Sequence, residues 1–323
     1  MAAEAAATMK KTHTRPSTTG EPTAIDVSAY LIDIIKLSEA DQTFQGDFMV
    51  RVSWKDPRLA DANSKATRAV SMSEIWNPRL TIVNRREGKI LYPEMAEVDS
   101  KGLVVYTQRI MGVFSNPMNL RDFPLDKQVL FIDAVARGYG TDQIRFQPNH
   151  TRIGREPKLN LSGWNTGAFS ARTYEKHVAF HSGKGSQVLA GVHFEVTATR
   201  NWRYYTLREI LPLLFIVLMA SALFWLPADE HKMKAGISTA AIFSLMAFYV
   251  RLGSSMPRLD YLTRMDTFVV GSIVLVFLSF TQVVLGMYLF KSNQEAKAVT
   301  LDKWSRAIYP LALAMIVGVA FFS

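Results

Sequence analysis

The sequence predicts an all-β sandwich followed by a bundle of four transmembrane helices. Short segments rich in β-branched and aromatic residues, separated by turns, fill residues 24–200, and four long apolar stretches fill residues 201–323. Length alone allows one or two domains for a chain of 323 residues. Because the apolar residues are concentrated in the last third, the composition favours two: a polar domain and then a membrane domain.

The strand prediction depends on local patterns in the first half of the chain. Several segments alternate in polarity or are enriched in strand-forming residues, and turn residues such as Glu87-Gly88 stand between them. No long amphipathic helical pattern interrupts this region, which is typical of a β-sandwich. The clearest strand candidates are residues 48–54, 102–106, 129–133 and 192–198.

Composition excludes several classes of protein. The chain has no Cys, so it can form no disulfide, thiolate zinc site, iron–sulfur cluster or cysteine nucleophile. Its net charge of +9 is scattered rather than gathered in a stripe, which does not indicate nucleic-acid binding. No nucleophile–base pair, phosphate loop or metal motif is visible, so we expect neither an enzyme nor a cofactor. Residues 1–23 are rich in Ala, Thr and Lys without an apolar signal core, and we expect them to be disordered.

The second apolar stretch differs from the other three. Its many small and hydroxyl residues, from Gly236 to Ala247, make it too polar to prefer lipid, so it belongs against protein or beside water. It either packs inside a helical bundle or lines an aqueous pore. The third stretch has Gln282 as its only strongly polar residue. The predicted spans are about residues 204–226, 233–252, 267–290 and 304–323, each near the roughly 20 residues that cross a bilayer.

Several short motifs, in order, resemble the pentameric ligand-gated ion channels, the Cys-loop receptor superfamily. Phe123-Pro-Leu-Asp126-Lys-Gln128 resembles the family signature FPFDxQ, and Trp76-Asn-Pro78 resembles the WxP of its agonist loop A. The chain lacks the two cysteines that name the superfamily, and in this it resembles the prokaryotic members. Further matching features are Arg200 before the first span, Pro212 within it, Leu226-Pro227, Lys232-Met233, Gly236-Ile-Ser238, Ala247-Phe-Tyr249 and Pro257-Arg-Leu-Asp-Tyr261.

The resemblance implies an architecture and a function. Residues 24–200 would form an immunoglobulin-like, extracellular or periplasmic ligand-binding sandwich, and residues 201–323 a four-helix domain in the cell (inner) membrane. Five identical chains, a homopentamer in the lipid bilayer, would surround a central pore lined by the second helix. A ligand or protons would open it to monovalent cations. The alternatives are an anion-selective channel of the same family and a membrane-anchored β-sandwich receptor that does not conduct.

Two registers are open for the pore helix. Counting from Lys232 places on one face Lys234, Ser238, Ala241, Leu245, Phe248 and Leu252, with Leu245 and Phe248 as gate candidates. Counting back from Pro257 places Gly236, Ala240 and Phe243 on the axis instead. We adopt the first register, because it keeps Lys232 and Ala247-Phe-Tyr249 in family positions.

Charges near the start of the second span set the expected selectivity. Glu230, with Asp229 beside it, stands where cation-selective members keep a glutamate. Lys234 would repel cations if it faced the lumen, or would line nothing if its side chain extended to the interface. His231 adds positive charge at low pH. The balance predicts cation conduction.

Arg200 is the predicted centre of coupling between the two domains. A buried Arg needs a carboxylate, and the resemblance implies Asp126 and Asp41 as partners; an ordinary surface ion pair is the alternative. The coupling loops would be residues 120–131 and 253–264. The complete predicted set is Asp41, Phe123, Pro124, Asp126, Arg200, Pro257 and Tyr261.

The ligand pocket departs from the family pattern. Cationic transmitters bind in an aromatic box through cation–π attraction, but an Arg such as Arg137 in that box would repel an ammonium group. Arg137 and Arg51 would instead hold a carboxylate, which predicts an anionic or neutral ligand, unless the pocket is vestigial. The predicted pocket residues are Met49, Arg51, Val83, Arg137, Tyr139, Tyr174, Phe180 and His181.

The histidines of the sandwich predict proton sensitivity rather than a metal site. His177 and His181 are four residues apart, but on a strand that spacing separates them by about 13 Å. Because histidine changes charge near neutral pH, these two or His193 are candidates for proton-modulated gating.

Overall fold

The computed structural model describes residues 13–16, 20–62, 66–178, 187–227 and 229–322. Two compact units are present. The sandwich unit contains β-strands, and the helical unit contains the residues from Arg200 onward. The short segments Glu39–Asp41 and Asn119–Asp126, although they lie between strands in the sequence, belong to the helical unit by their contacts.

The strands form one large and one small sheet. The larger has the order β3-β6-β7-β2-β1-β9, with β5 also paired to β7, and the smaller has the order β10-β11-β8-β4. All described pairs are antiparallel except β1 with β9. The strands are β1 (Thr23–Ser38), β2 (Thr43–Lys55), β3 (Arg68–Ser71), β4 (Leu80–Ile82), β5 (Arg85–Ile90), β6 (Met95–Val98), β7 (Leu103–Ser115), β8 (Lys127–Ala136), β9 (Ile144–Arg155), β10 (Trp164–Val178) and β11 (Gln187–Arg200).

Alternation along the strands builds the core of the sandwich. In β11, every second residue from Val192 to Ala198 is a buried apolar one, while the residues between them are partly exposed. Trp54 and Trp76 meet edge to face in the core with ring centroids 5.7 Å apart. All four predicted strand segments lie within or overlap β2, β7, β8 and β11, which confirms the predicted sandwich.

Four helices follow, and they confirm the four predicted spans: α1 (Trp202–Trp225), α2 (His231–Ser255), α3 (Arg264–Lys291) and α4 (Glu295–Phe322). A capping box between Thr263 and Asp266 starts α3. The backbone widens into a π turn over Thr206–Ile210, just before Pro212, which has no N–H to give to the helix. The predicted fourth span began near residue 304, whereas α4 begins at Glu295. Hydropathy did not indicate the first turns of this helix because they are polar.

Part of the N-terminal segment predicted to be disordered is held in place. Arg15 donates a hydrogen bond to the carbonyl of Gln143 at 2.9 Å and another to the carbonyl of Glu21. The side chain of Arg58 donates to Thr14. The prediction therefore does not hold for residues 13–16, and residues 1–12 and 17–19 lie outside the described residues.

Candidate functional site

Arg200 is the centre of a buried ionic cluster in the helical unit. Its Nε and Nη2 atoms donate to the two oxygens of Asp126 at 2.6 and 3.2 Å, a bidentate pair, and Nη1 donates to Glu39 at 2.8 Å. Its guanidinium lies over the rings of Phe123 and Tyr205. Burial lowers the pKa of Arg200, but the hydrogen bond and charge of Asp126 outweigh it, so the pKa is raised.

The carboxylates around Arg200 include one that was not predicted. Asp126 pairs with Arg200 as predicted, Glu39 is a further carboxylate at the guanidinium, and the predicted Asp41 lies in the same turn as Glu39. Glu39 precedes a turn at which Gln42 adopts a positive φ of 53°. The only signal for Glu39 in the sequence is that it is an acidic residue near this turn.

The segment Asn119–Asp126 is bonded to the connection between α2 and α3. The hydroxyl of Tyr261 accepts a hydrogen bond from the N–H of Leu120 at 3.0 Å, and Arg121 lies over the Tyr261 ring. Arg264 donates to Asp122 at 2.8 Å. Of the predicted coupling residues, Phe123 and Tyr261 are thus in these contacts, the Phe123–Pro124 peptide is cis, and Pro257 begins the connection after α2.

Most of the predicted pore-lining side chains are buried within their own chain. The face chosen from the sequence packs against neighbouring helices of the helical unit. A side chain enclosed by its own chain cannot also line a lumen shared with other chains, so the first register requires correction. The buried members are Lys234, Ser238, Ala241, Leu245 and Leu252; Phe248 is partly exposed and Glu230 is exposed.

The opposite face of α2 is open. Phe243 and Val250 are 71% and 68% exposed, and three small residues in line with them are exposed as well. The five positions are spaced three or four residues apart and so form one stripe along the helix. They are Gly236, Ala240, Phe243, Ala247 and Val250. This stripe contains the three residues of the second register.

Lys234 contributes its charge to a buried contact rather than to a free surface. Its Nζ donates to Asp302 of α4 at 2.6 Å, and Gln282 of α3 donates to the other oxygen of Asp302 at 2.7 Å. Asp302 was not among the predicted site residues. Asp302 lies in the polar first turns of α4, and the residues around it in the sequence do not indicate which helix its side chain contacts.

The predicted ligand residues do not share one cavity of the sandwich unit, since Met49 and Arg51, Arg137, and Tyr174 line three different ones. Met49 and Arg51 line a cavity of about 240 Å³ together with Tyr30 and Arg152. The hydroxyl of Tyr30 donates a hydrogen bond to Glu156. The pKa of Tyr30 is raised, mainly by burial and secondly by the Glu156 carboxylate. The cavity therefore presents two guanidinium groups and a phenol.

Arg137 lines the second cavity, of about 360 Å³, with Arg79 and Glu94. Tyr139, predicted as an aromatic contact, instead accepts a hydrogen bond from Trp76 at 2.9 Å. Val83 is exposed beside the end of β4. Arg51 and Arg137 therefore do not meet in one pocket of one chain, and the predicted Phe180 and His181 lie outside the described residues.

His193 lies in a cluster of charged and aromatic side chains on the smaller sheet. Its Nδ1 is 2.5 Å from Asp133 on β8, and its Nε2 is 3.2 Å from Glu195 on β11. Phe131 stacks on the imidazole. Tyr174 of β10 meets the imidazole edge to face, and burial followed by Asp133 raises the pKa of Tyr174. An imidazolium can donate to both carboxylates, whereas a neutral ring can donate to one.

Asn84 and Gly191 hold this cluster in place. The amide of Asn84 donates to the carbonyls of Ser115 and Phe131, and its oxygen accepts from the N–H of Asp133. Gly191 leaves room for Tyr174, because a Cβ there would lie 2.5 Å from its ring. His177 lies exposed on β10, and among the described residues no group of three or more His, Asp or Glu side chains is placed to hold a metal.

Comparison with known proteins defines the class to which this arrangement belongs. Residues 7–202 match the neurotransmitter-gated ion-channel ligand binding domain, and residues 209–318 match the neurotransmitter-gated ion-channel transmembrane region. The chain belongs to the neurotransmitter-gated ion-channel family, the pentameric ligand-gated ion channels. It is a membrane protein with an extracellular ligand-binding domain and four transmembrane helices, and not an enzyme; the resemblance inferred from its motifs is confirmed.

Two relatives are similar over most of this chain. The proton-gated ion channel of Gloeobacter violaceus is 25% identical over 313 residues, which cover 95% of this chain and 86% of that protein. The gamma-aminobutyric acid receptor subunit beta-4 of Gallus gallus is 24% identical over 286 residues, which cover 85% of this chain and 57% of that subunit.

Proposed function

We propose that the protein is a homopentameric channel in the lipid bilayer, that its lumen is lined by the exposed stripe of α2, and that it conducts monovalent cations. The observation that carries the proposal is the exposure of Gly236, Ala240, Phe243, Ala247 and Val250 on a helix whose opposite face is packed. Small residues leave room for water and ions near a pore axis, whereas a lipid-facing stripe would be uniformly large and apolar.

Phe243 is the proposed gate. It lies near the middle of α2 (His231–Ser255), about 18 Å from either end of the helix. Five phenylalanine rings at one level form an apolar constriction that closes by dewetting. Val250 forms a second apolar ring two turns later, and the small side chains of Gly236 and Ala240 leave the opposite part of the lumen wider.

Selectivity follows from the charges at the beginning of α2. Asp229 and Glu230 are exposed there, and Lys232 is exposed one turn before Gly236. Because Lys234 is buried against Asp302, it does not face the lumen, and two acids remain against one base. The net negative charge at this mouth favours cations.

One observation favours a second candidate, an anion-selective channel. Lys232 stands in line with Gly236 and Ala240, so its ammonium extends the stripe, whereas Glu230 is the N-cap residue of α2. If five Lys232 side chains reach the axis and the carboxylates point away from it, the charge at this mouth of the lumen becomes positive and favours anions.

Reversal potentials separate the two candidates. Currents recorded from purified protein in planar bilayers under a NaCl gradient should reverse near the Na⁺ equilibrium potential, and Glu230→Gln should move the reversal toward zero. Lys232→Gln, the matched control at the same mouth, should leave or sharpen cation preference. Reversal at the Cl⁻ potential would support the second candidate. Purified pentamers that carry no current between pH 4 and 9 would favour the non-conducting receptor.

Gating in this proposal passes through the Arg200 cluster. The cluster links Glu39 and Asp126 to Arg200, two residues before α1, and Tyr261 binds the same segment that contains Asp126. Residues 120–131 and 253–264 therefore supply the coupling contacts. A bidentate pair depends strongly on orientation, so a small rotation at Arg200 changes several contacts together.

The ligand is proposed to be anionic or neutral, with protons as a further gating agent. Arg51 and Arg152 line one cavity, and Arg79 and Arg137 the other, so both attract carboxylates. A site that used Arg51 and Arg137 together would need two neighbouring chains. Calorimetry with acetate should show saturable binding that Arg51→Ala weakens, and acetylcholine should show none. Saturable acetylcholine binding would contradict the proposal, and no binding of either would indicate a vestigial pocket.

A further inference from the structure

Three polar side chains from three transmembrane helices meet inside the helical unit. Lys234 of α2 and Asp302 of α4 form an ion pair at 2.6 Å, and both are more than nine-tenths buried. Gln282 of α3 donates to the remaining oxygen of Asp302 at 2.7 Å. Both oxygens of the carboxylate are therefore satisfied by neighbouring helices.

Such a cluster is unfavourable in a membrane unless each member keeps its partners. Ionisable groups in transmembrane segments are rare and usually functional, and a buried ion pair often adds little net stability because of its desolvation cost. Gln282 is also the one strongly polar residue of its span. Three side chains that are each unfavourable in a membrane therefore come from three different helices to form a single cluster. Packing alone does not require any of them.

The pair connects helices that pack mainly on others. The principal neighbours of α2 are α1 and α3, and α4 packs mainly on α3. The reach from Lys234 to Asp302 therefore adds a link between the pore helix and the fourth helix. Because each residue turns an α-helix by about 100°, Lys234 lies about 200° around the axis from Gly236. Holding Lys234 inward holds the stripe that begins at Gly236 outward.

We infer that Asp302, oriented by Gln282, is a positioning residue that sets the rotation of α2 and thereby presents the Gly236–Val250 stripe to the lumen. The inference rests on the proposed function, since it takes that stripe as the pore lining. Asp302 itself does not touch the ion path. Its effect on the channel acts through Lys234.

Thiol accessibility tests this without an agonist, because the chain has no Cys of its own. Ala240→Cys, on the stripe, and Ser238→Cys, on the buried face, are made in the full-length protein in liposomes. A cationic, membrane-impermeant methanethiosulfonate is applied, and its rate of reaction is read by mass spectrometry. Thr151→Cys, on the exposed surface of β9, is the reference. Each is compared in three backgrounds: unchanged, Asp302→Asn, and the reversed pair Lys234→Asp with Asp302→Lys.

In the unchanged background Ala240→Cys should react and Ser238→Cys should not. Asp302→Asn should change the Ala240→Cys rate at least fivefold and make Ser238→Cys reactive, with no change at Thr151→Cys. The reversed pair should return both rates to within about twofold. If Asp302→Asn does not assemble, Lys234→Met with Asp302→Leu, which leaves no unpaired charge, replaces it: changed rates support the inference and unchanged rates overturn it.

The two proposals fail differently. If Ser238→Cys reacts and Ala240→Cys does not in the unchanged background, the stripe is not the lumen and the proposed function loses its pore lining. If the unchanged pattern is as expected but Asp302→Asn leaves every rate alone, only the positioning role of Asp302 is overturned.

Discussion

Arg200 is buried because Asp126, Glu39 and two aromatic rings satisfy its guanidinium at the same time. Breaking a buried ion pair by removing one partner leaves an uncompensated charge and costs about 3–5 kcal/mol. Lysine would keep the charge, but its ammonium is a point donor and cannot form the bidentate contact. The residue therefore contributes separately to stability and to orientation.

We expect Arg200→Gln to abolish assembly and Arg200→Lys to assemble with altered gating. Yield of pentamer by size-exclusion chromatography and acid-evoked current in bilayers measure the two effects. Arg203→Gln, exposed on the first turn of α1, is the matched control and should change neither. If Arg200→Lys behaves like the unchanged protein, the bidentate geometry has no role in gating.

Tyr174 carries a buried hydroxyl for which no hydrogen-bond partner is found among the described residues. Burial, and then the charge of Asp133, raises the pKa of this phenol. The folded protein therefore keeps the phenolic proton at a pH where the unfolded chain, with tyrosine at about 10, gives it up. The contribution of this phenol to the free energy of unfolding is fully present below about pH 10 and is lost as the pH rises above that value.

Tyr174→Phe should remove this alkaline loss of stability. The difference in Tm between the variant and the unchanged protein should be small at pH 8 and should grow in favour of the variant toward pH 11. Tyr92→Phe, at an exposed tyrosine, serves as the control. A difference in Tm that does not depend on pH would show that the phenol does not titrate with unfolding.

At the scale of one element, α2 is amphipathic in an unusual sense. Its packed face includes the polar side chains of Lys234 and Ser238, and its open face includes the large apolar side chains of Phe243 and Val250. A hydropathy pattern that assigns the polar face to water selects the wrong side of such a helix. The contact with Asp302 resolves the contradiction, because it satisfies the Lys234 charge inside the bundle.

A cysteine scan along α2 in the Cys-free chain should show an alternation of reactivity. Phe243→Cys and Ala247→Cys should react with a water-soluble methanethiosulfonate, and Ala241→Cys and Leu245→Cys should be at least tenfold slower. Mass spectrometry of the intact protein provides the rates. The reverse alternation would restore the register chosen from the sequence.

At the scale of the whole molecule, proton sensitivity should depend on the His193 cluster. The charged or titratable groups that face the imidazole are Asp133 on β8, Glu195 on β11 and Tyr174 on β10, with Arg172 near Glu195 at 3.8 Å. The imidazole lies between a carboxylate of the neighbouring strand β8 and one of its own strand β11, so its hydrogen bonds to both depend on its ring nitrogens.

If acid changes the current, His193→Gln should alter or remove the pH response, because the glutamine side chain has no ionisable group. His177→Gln, an exposed histidine on β10, should leave the pH response unchanged. Both are measured as current against external pH in the same bilayers. An unshifted midpoint in His193→Gln would place the proton site elsewhere.

The sandwich, the four spans and the Arg200–Asp126 pair were predictable, because each depends on a pattern that is local in the chain or on a motif that is short. Strand alternation around Trp54 and the apolar length of α3 are of this kind. The contact of Glu39 with Arg200 was not, since Glu39 lies in a turn with a second acid, Asp41, and nothing in the local sequence points to it. The ligand residues were assigned to one pocket, whereas Arg51 and Arg137 line separate cavities.

The sequence alone is sufficient to predict the β-sandwich and the four membrane helices, because each depends on an apolar pattern that is local in the chain. It is also sufficient to predict the channel family, because the family motifs are short. It does not specify how α2 is rotated. That rotation depends on Asp302, 68 residues after Lys234, and on Gln282 between them. Only the packed helices bring these three side chains together, and so only the tertiary structure decides that Lys234 faces inward and Phe243 outward.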